Sequence, residues 1–92
     1  MDERRSKIKV LVDILRVVQR DGGESKPTHI LYKANLSHKL LKSHLKLLME
    51  KGFIEQMDYG GKTHYRITEK GVLFVNEFRK VEKLSSAFGL PI

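Results

Sequence analysis

The amino-acid sequence predicts a mainly α fold of the α+β class: three helices, one β-hairpin and a long C-terminal helix. Three patterns carry this expectation. Apolar residues recur at three- and four-residue spacing before Gly22 and again between Ser37 and Gly52, which is the period of a helix with one buried face. Residues alternate on either side of Gly60-Gly61, as strands do around a tight turn. After Thr68, the positions Phe74, Phe78, Val81, Ser85 and Phe88 follow alternating steps of four and three, the seam spacing of a coiled coil.

In the first helix, from about Arg4 to Gln19, the stripe is Ile8, Leu11, Ile14, Leu15 and Val18, with Asp2 or Ser6 as its start. Lys9, Asp13 and Arg16 fall on the wet side, where they can pair locally. Asp21-Gly22-Gly23 ends the helix, because consecutive glycines lose too much backbone entropy to stay helical. Glu24-Ser25-Lys26 is short and extended. Pro27 suits the first turn of a second helix, roughly Pro27 to Lys33, where a missing N–H costs nothing; Ile30, Leu31 and Ala34 are there to bury, and Asn35 can take the left-handed conformation of the next turn.

The third helix spans Ser37 to Lys51, about four turns, with Ser37 as N-cap and Gly52 closing the other end. At 100° per residue, Leu41, His44, Leu45 and Leu48 share one side, with Leu40 at its margin. His38, Lys39, Lys42, Ser43 and Lys46 share the other. A solvated helix face mixes both signs of charge, yet this one holds no acid before Glu50. Two helices so close together, the second amphipathic and basic, match the helix-turn-helix plan in which the first positions the second.

Strands follow from Phe53 to Asp58 and from Thr63 to Ile67, joined by Tyr59-Gly60-Gly61-Lys62; Tyr65 and Ile67 take one face, His64 and Arg66 the other. Thr68 caps the last helix, Glu69 to Ser86, whose Leu73, Phe74 and Val75 dock on the domain. Beyond Phe78, a second copy of the chain is the simplest cover for Val81, Leu84 and Phe88.

Composition narrows the function. The 92 residues suit a single small core, and 18 Lys and Arg against 11 Asp and Glu leave a formal charge of +7, which favours a polyanionic partner. No cysteine is present, so disulfides and thiolate metal sites are excluded. No apolar run is long enough to span a bilayer and the N-terminus lacks a signal-peptide core, so no membrane role and a cytoplasmic location are expected. His29, His38, His44 and His64 lie on separate elements without metal-ligand spacing, and His44, on the buried side, reads as a hydrogen-bonded core histidine. No nucleophile and base pair, convergent carboxylates or phosphate loop stands out, so neither an enzyme nor a cofactor is expected.

Three fragments carry a family resemblance: Tyr32-Lys-Ala-Asn-Leu-Ser37, Leu45-x-x-Leu48-x-x-x-Gly52-Phe-Ile54 and Tyr65-Arg-Ile-Thr-Glu-Lys-Gly71. In their order and spacing the chain resembles the small archaeal winged helix-turn-helix DNA-binding proteins that dimerise through a C-terminal coiled-coil helix. The resemblance covers nearly the whole chain. It implies a winged-helix domain over residues 1–70 and a C-terminal helix over 71–92 for core packing and dimerisation. It also implies double-stranded DNA as partner, with the Ser37 to Lys51 helix in the major groove and a wing at residues 59–63 on the backbone or minor groove.

On that plan Lys39, Lys42 and Lys46 neutralise phosphates, His38 and Ser43 reach base edges, Ser37 joins the DNA-binding set at the helix start, and Lys62 and Arg66 extend the contact along the wing. Arg4, Arg5 and Lys7 add non-specific attraction. Dimerisation is assigned to Phe74, Phe78, Val81, Leu84, Ser85 and Phe88. The function expected is a duplex DNA-binding transcription regulator, sequence-reading or architectural. The alternative is a winged-helix protein-interaction module without DNA affinity.

Overall fold

The computed structural model describes residues 5–92; the helix start at Asp2 and the basic Arg4 lie outside the described residues. The elements run α1 (Lys7–Arg20), β1 (Glu24–Ser25), α2 (Pro27–Lys33), α3 (His38–Glu50), β2 (Ile54–Tyr59), β3 (Lys62–Ile67) and α4 (Glu69–Phe88). The expected helices and hairpin are all there. The two-residue extended stretch after Gly23 proves to be a third strand, giving an antiparallel sheet of order β1-β3-β2.

α1, α3 and α4 each begin where a hydroxyl satisfies an orphan N–H, whereas α2 starts on Pro27, which has no N–H to satisfy. Ser6 Oγ accepts from Lys9 N at 3.2 Å, Ser37 Oγ from Leu40 N at 3.2 Å, and Thr68 Oγ1 from Gly71 N at 3.1 Å. The α2–α3 turn uses Asn35 at φ 56°, as expected for a residue whose short polar side chain tolerates the left-handed region. Arg5 holds this turn from outside, donating to Ala34 O at 2.9 Å and Asn35 O at 3.2 Å while pairing with Asp13 at 3.1 Å. Its guanidinium is therefore a structural clasp, not the diffuse attractor expected of a basic terminus.

The core gathers α1, α2 and α3 with the inner sheet face and α4. Ile14, Leu15, Val18, Ile30, Leu48 and Val75 are fully buried, and Leu41 and Leu45 nearly so. The stripe of α1 is wider than its spacing suggested. Val10, Val12 and Val17 are also buried, whereas Ile8 is 41% exposed. The reason is α4, which packs along α1 and covers a second side of it. The supposed wet side of α1 faces α4 too: Lys9 and Arg16 both reach Glu82.

At the base of α4, Gly71 is required by contact. A Cβ there would stand 2.3 Å from Phe53 O and 2.8 Å from Ile67 Cγ1, both inside van der Waals distance, so α4 comes down onto the β2 entry only because the side chain is absent. Phe53 and Phe74 stack beside it with centroids 4.6 Å apart and planes 10° apart.

Candidate nucleic-acid interface

Leu41, Leu45 and Leu48 anchor α3 in the core, and this fixes which residues face out. His38, Lys39, Lys42, Ser43 and Lys46 line one open groove of about 830 Å³ between α3 and the sheet, so the residues the helix wheel placed together do share a surface. Ser37 stays at the helix start as its N-cap. No acid sits in the first turn of α3, which leaves its positive dipole end uncompensated beside the lysines. The groove is therefore cationic along its helical wall and matches an anionic ligand in charge.

The sheet supplies the other wall. Gly60 and Gly61, at φ 57° and 84°, form a two-residue turn that pairs Tyr59 with Lys62 and, counting outward, Gln56 with Tyr65. Opposed residues in an antiparallel pair project to the same side, so Ile54, Gln56, Asp58, Thr63, Tyr65 and Ile67 form the face toward α3. Gln56 and Tyr65 line the groove. Gln56 was missed in the sequence reading, although the register counted out from the glycine turn would have placed it opposite Tyr65. Its amide both donates and accepts, the chemistry of base-edge reading, and it donates to Asp58 Oδ1 at 3.4 Å. Asp58 also accepts from Thr63 Oγ1 at 3.1 Å; burial, and after it the Asp58 charge, pushes the Tyr65 hydroxyl up, so Tyr65 stays a neutral donor.

The same register puts Lys62 and Arg66 on the opposite face of the hairpin, away from the α3 groove. Arg66 is engaged there: its Nε donates to Glu24 Oε1 at 3.4 Å, and Glu24 also meets His64 Nδ1 at 3.1 Å and Tyr59 Oη at 3.2 Å. Glu24, on β1, neutralises part of the wing charge, and it went unnoticed because its partners lie far along the chain. Lys62 is exposed beside the turn.

His44 departs from expectation. Its Nδ1 is buried without a hydrogen-bond partner among the described residues, and burial, then Lys7 and Arg5, hold the ring below its ordinary pKa. It is a neutral packing residue of α3. The other histidines sit apart: His29 beside Asp21, His64 beside Glu24, and His38 in the groove.

On α4 the expected seam divides. Phe78 is only 4% exposed, within its own chain, and Phe74 is partly buried and stacked on Phe53, so neither joins the exposed stripe. Ser85 is partly buried and its Oγ donates to Leu90 O. Val81, Leu84 and Phe88 are exposed as expected. Leu73, assigned to the core, is 60% exposed and joins them. The docking of α4 on α1 turns the helix so that Val75 and Phe78 face inward, which leaves the stripe Leu73, Val81, Leu84 and Phe88 outward.

Known proteins reproduce this arrangement. The winged helix-turn-helix family model matches residues 4–86. An uncharacterised protein of Methanocaldococcus jannaschii is 32% identical over 81 residues; the match covers 88% of this chain and 36% of that protein, so the chain spans about a third of its relative's length. Among solved structures, Sso10a-2, a DNA-binding protein from Sulfolobus solfataricus, superposes with TM-score 0.76 at 28% identity over 92% of this chain and 90% of its own. F93 from STIV, a winged-helix DNA-binding protein, gives 0.74 at 16% identity over 87% and 92% of the two chains. MarR from E. coli gives 0.70 at 15% identity over 90% and 63%, a likeness of fold alone. Helix order, three-stranded sheet, glycine-turn hairpin and family match agree: the chain belongs to the winged helix-turn-helix family.

Proposed function

We propose that this chain is a duplex DNA-binding transcription regulator that lays α3 in the major groove. One observation carries the reading: Lys39, Lys42 and Lys46 line the same groove as His38, Ser43 and Gln56, so phosphate-neutralising and base-addressing side chains share a surface. Lysine is a flexible point charge, suited to phosphate more than to paired recognition of guanine. Base reading falls to His38, Ser43 and Gln56. That Sso10a-2 is a DNA-binding protein and F93 a winged-helix DNA-binding protein supports the partner class. Lys62 follows the neighbouring backbone from the wing tip, while Arg66 remains tied to Glu24.

The exposed stripe on α4 favours a homodimer, since the described residues leave Leu73, Val81, Leu84 and Phe88 between 45% and 70% exposed. Two copies of α3 about a two-fold axis would then address symmetric half-sites. Among the described residues no helix is long and apolar enough to cross a membrane. Work on chromosomal DNA would place the protein in the cytoplasm. Duplex affinity measured against salt tests the reading: a slope of about −0.9 per contacted phosphate is expected, and no duplex affinity at physiological salt would instead indicate a protein-interaction module.

A further inference from the structure

A trough of about 480 Å³ opens on the molecule where α1, α3 and the base of α4 meet. Its walls are Ile8, Leu11, Leu47, Leu48, Phe53 and Phe74, all apolar. Among the described residues, the charged side chains lining it are Lys7 and Lys51, both exposed, and none is an acid. A third lysine stands nearby. Lys70 donates to Lys51 O at 2.7 Å and lies 5.3 Å from the Phe53 ring centroid, so its charge adds to the rim while its ammonium is held in place. The volume lies within the range of about 300–1,000 Å³ typical of small-molecule sites.

We infer that this trough binds the carboxylate form of a medium-chain fatty acid, with the alkyl chain along the apolar walls and the carboxylate between Lys7 and Lys51. The charge pattern selects this occupant. An apolar chain alone would leave both ammonium groups without a gain, and a cationic amphiphile would meet two or three lysines of its own sign. A second copy of the chain fits less well, because two-fold pairing of the trough brings the same lysines of both copies together. Leu47 and Leu48 belong to α3, Lys51 is its C-cap and Phe74 belongs to α4, so the ligand would touch the groove helix and the helix of the exposed stripe at once. The inference does not rest on DNA binding and is tested without DNA.

The test is a methyl-resonance NMR titration of the full chain with decanoate, kept below micelle formation. Saturable shifts are expected at the Leu11 and Leu47 methyls, with little change at Leu84. Decylammonium should give no comparable binding. Lys7→Gln with Lys51→Gln should weaken decanoate roughly ten-fold, the loss of a charge-assisted contact. Ile8→Gln, at an exposed position that leaves the lysines intact, should weaken it roughly five-fold. The proposal is overturned by absence of shifts, by equal binding of decylammonium, or by undiminished affinity in both variants. It also fails if dilution of the protein alone moves the same methyls, since the trough would then be covered by a second copy.

Discussion

Glu82 Oε1 on α4 accepts a hydrogen bond from Arg16 Nη2 on α1 at 2.5 Å, and Glu82 Oε2 stands 3.1 Å from both Arg16 Nη1 and Lys9 Nζ. One carboxylate thus joins two positions two turns apart on α1 to the far half of α4. The Arg16 hydrogen bond, followed by the Lys9 bond and both charges, holds the Glu82 carboxyl at about 2 against an ordinary 4.5.

The direction of that shift fixes an acid dependence. A folded-state pKa below the unfolded value gives stability that is complete above about 4.5 and is lost as the pH falls toward about 2. Glu82→Gln should therefore lower stability at pH 7 by about 1–2 kcal/mol, a partly exposed pair being worth less than a buried one. The gap between variant and wild type should close in urea melts taken from pH 5 down to pH 2.5. A gap that stays constant over that window would remove the carboxylate from the account.

The cationic wall of the groove should be visible as counterion release. Lys42→Ala and Lys46→Ala are each expected to reduce the slope of log affinity against log salt by about 0.9, while Lys83→Ala on α4 leaves it unchanged. Fluorescence anisotropy with a labelled duplex measures all three. Equal slopes in Lys46→Ala and Lys83→Ala would place the DNA elsewhere.

Arg66 lies on the outer hairpin face and is engaged with Glu24, so Arg66→Ala should change the salt slope less than Lys46→Ala does. Glu24→Gln should raise duplex affinity, because it removes an acid from the wing and releases its cation. The same anisotropy assay decides it: an unchanged or weaker Glu24→Gln complex contradicts this role.

Gly71→Ala should destabilise the fold by about 1–3 kcal/mol through overpacking against Phe53 O and Ile67. Thermal and urea unfolding report it directly. An unchanged midpoint would mean that α4 can lift from the β2 entry at no cost.

The two faces of α4 should behave oppositely. Leu84→Glu and Phe88→Glu should yield folded monomers in sedimentation, whereas Phe78→Ala should lose about 3–5 kcal/mol of stability as a core truncation. A monomeric wild type rejects the dimer.

Local signals in the sequence were sufficient for the elements themselves. Ser6, Ser37 and Thr68 as caps, Asn35 as the left-handed residue and Gly60-Gly61 as the turn each act on neighbouring backbone, where composition and spacing speak directly. What stayed hidden depends on rotation of one element against another. A four-and-three spacing on α4 admits more than one inward face, and only its packing on α1 selects Val75 and Phe78 over Leu73. Arg5 and Glu24 were likewise illegible, since their partners are carbonyls and side chains brought close by the finished fold. The groove face of α3 could be read because one helix displays it whole. Gln56 could not, because it required the strand register.

The glycine turn that sets this register has a further consequence for how such a protein could change its target. Along β3 the odd-numbered residues Thr63, Tyr65 and Ile67 face α3, and the even-numbered Lys62, His64 and Arg66 face out. A slip of β3 by one residue against β2 would exchange the two sets at a stroke and bring cations to the groove in place of a hydroxyl and a phenol. The parity of the hairpin is thus an inheritable setting: a single-codon insertion could rewrite half of the interface with every original side chain retained.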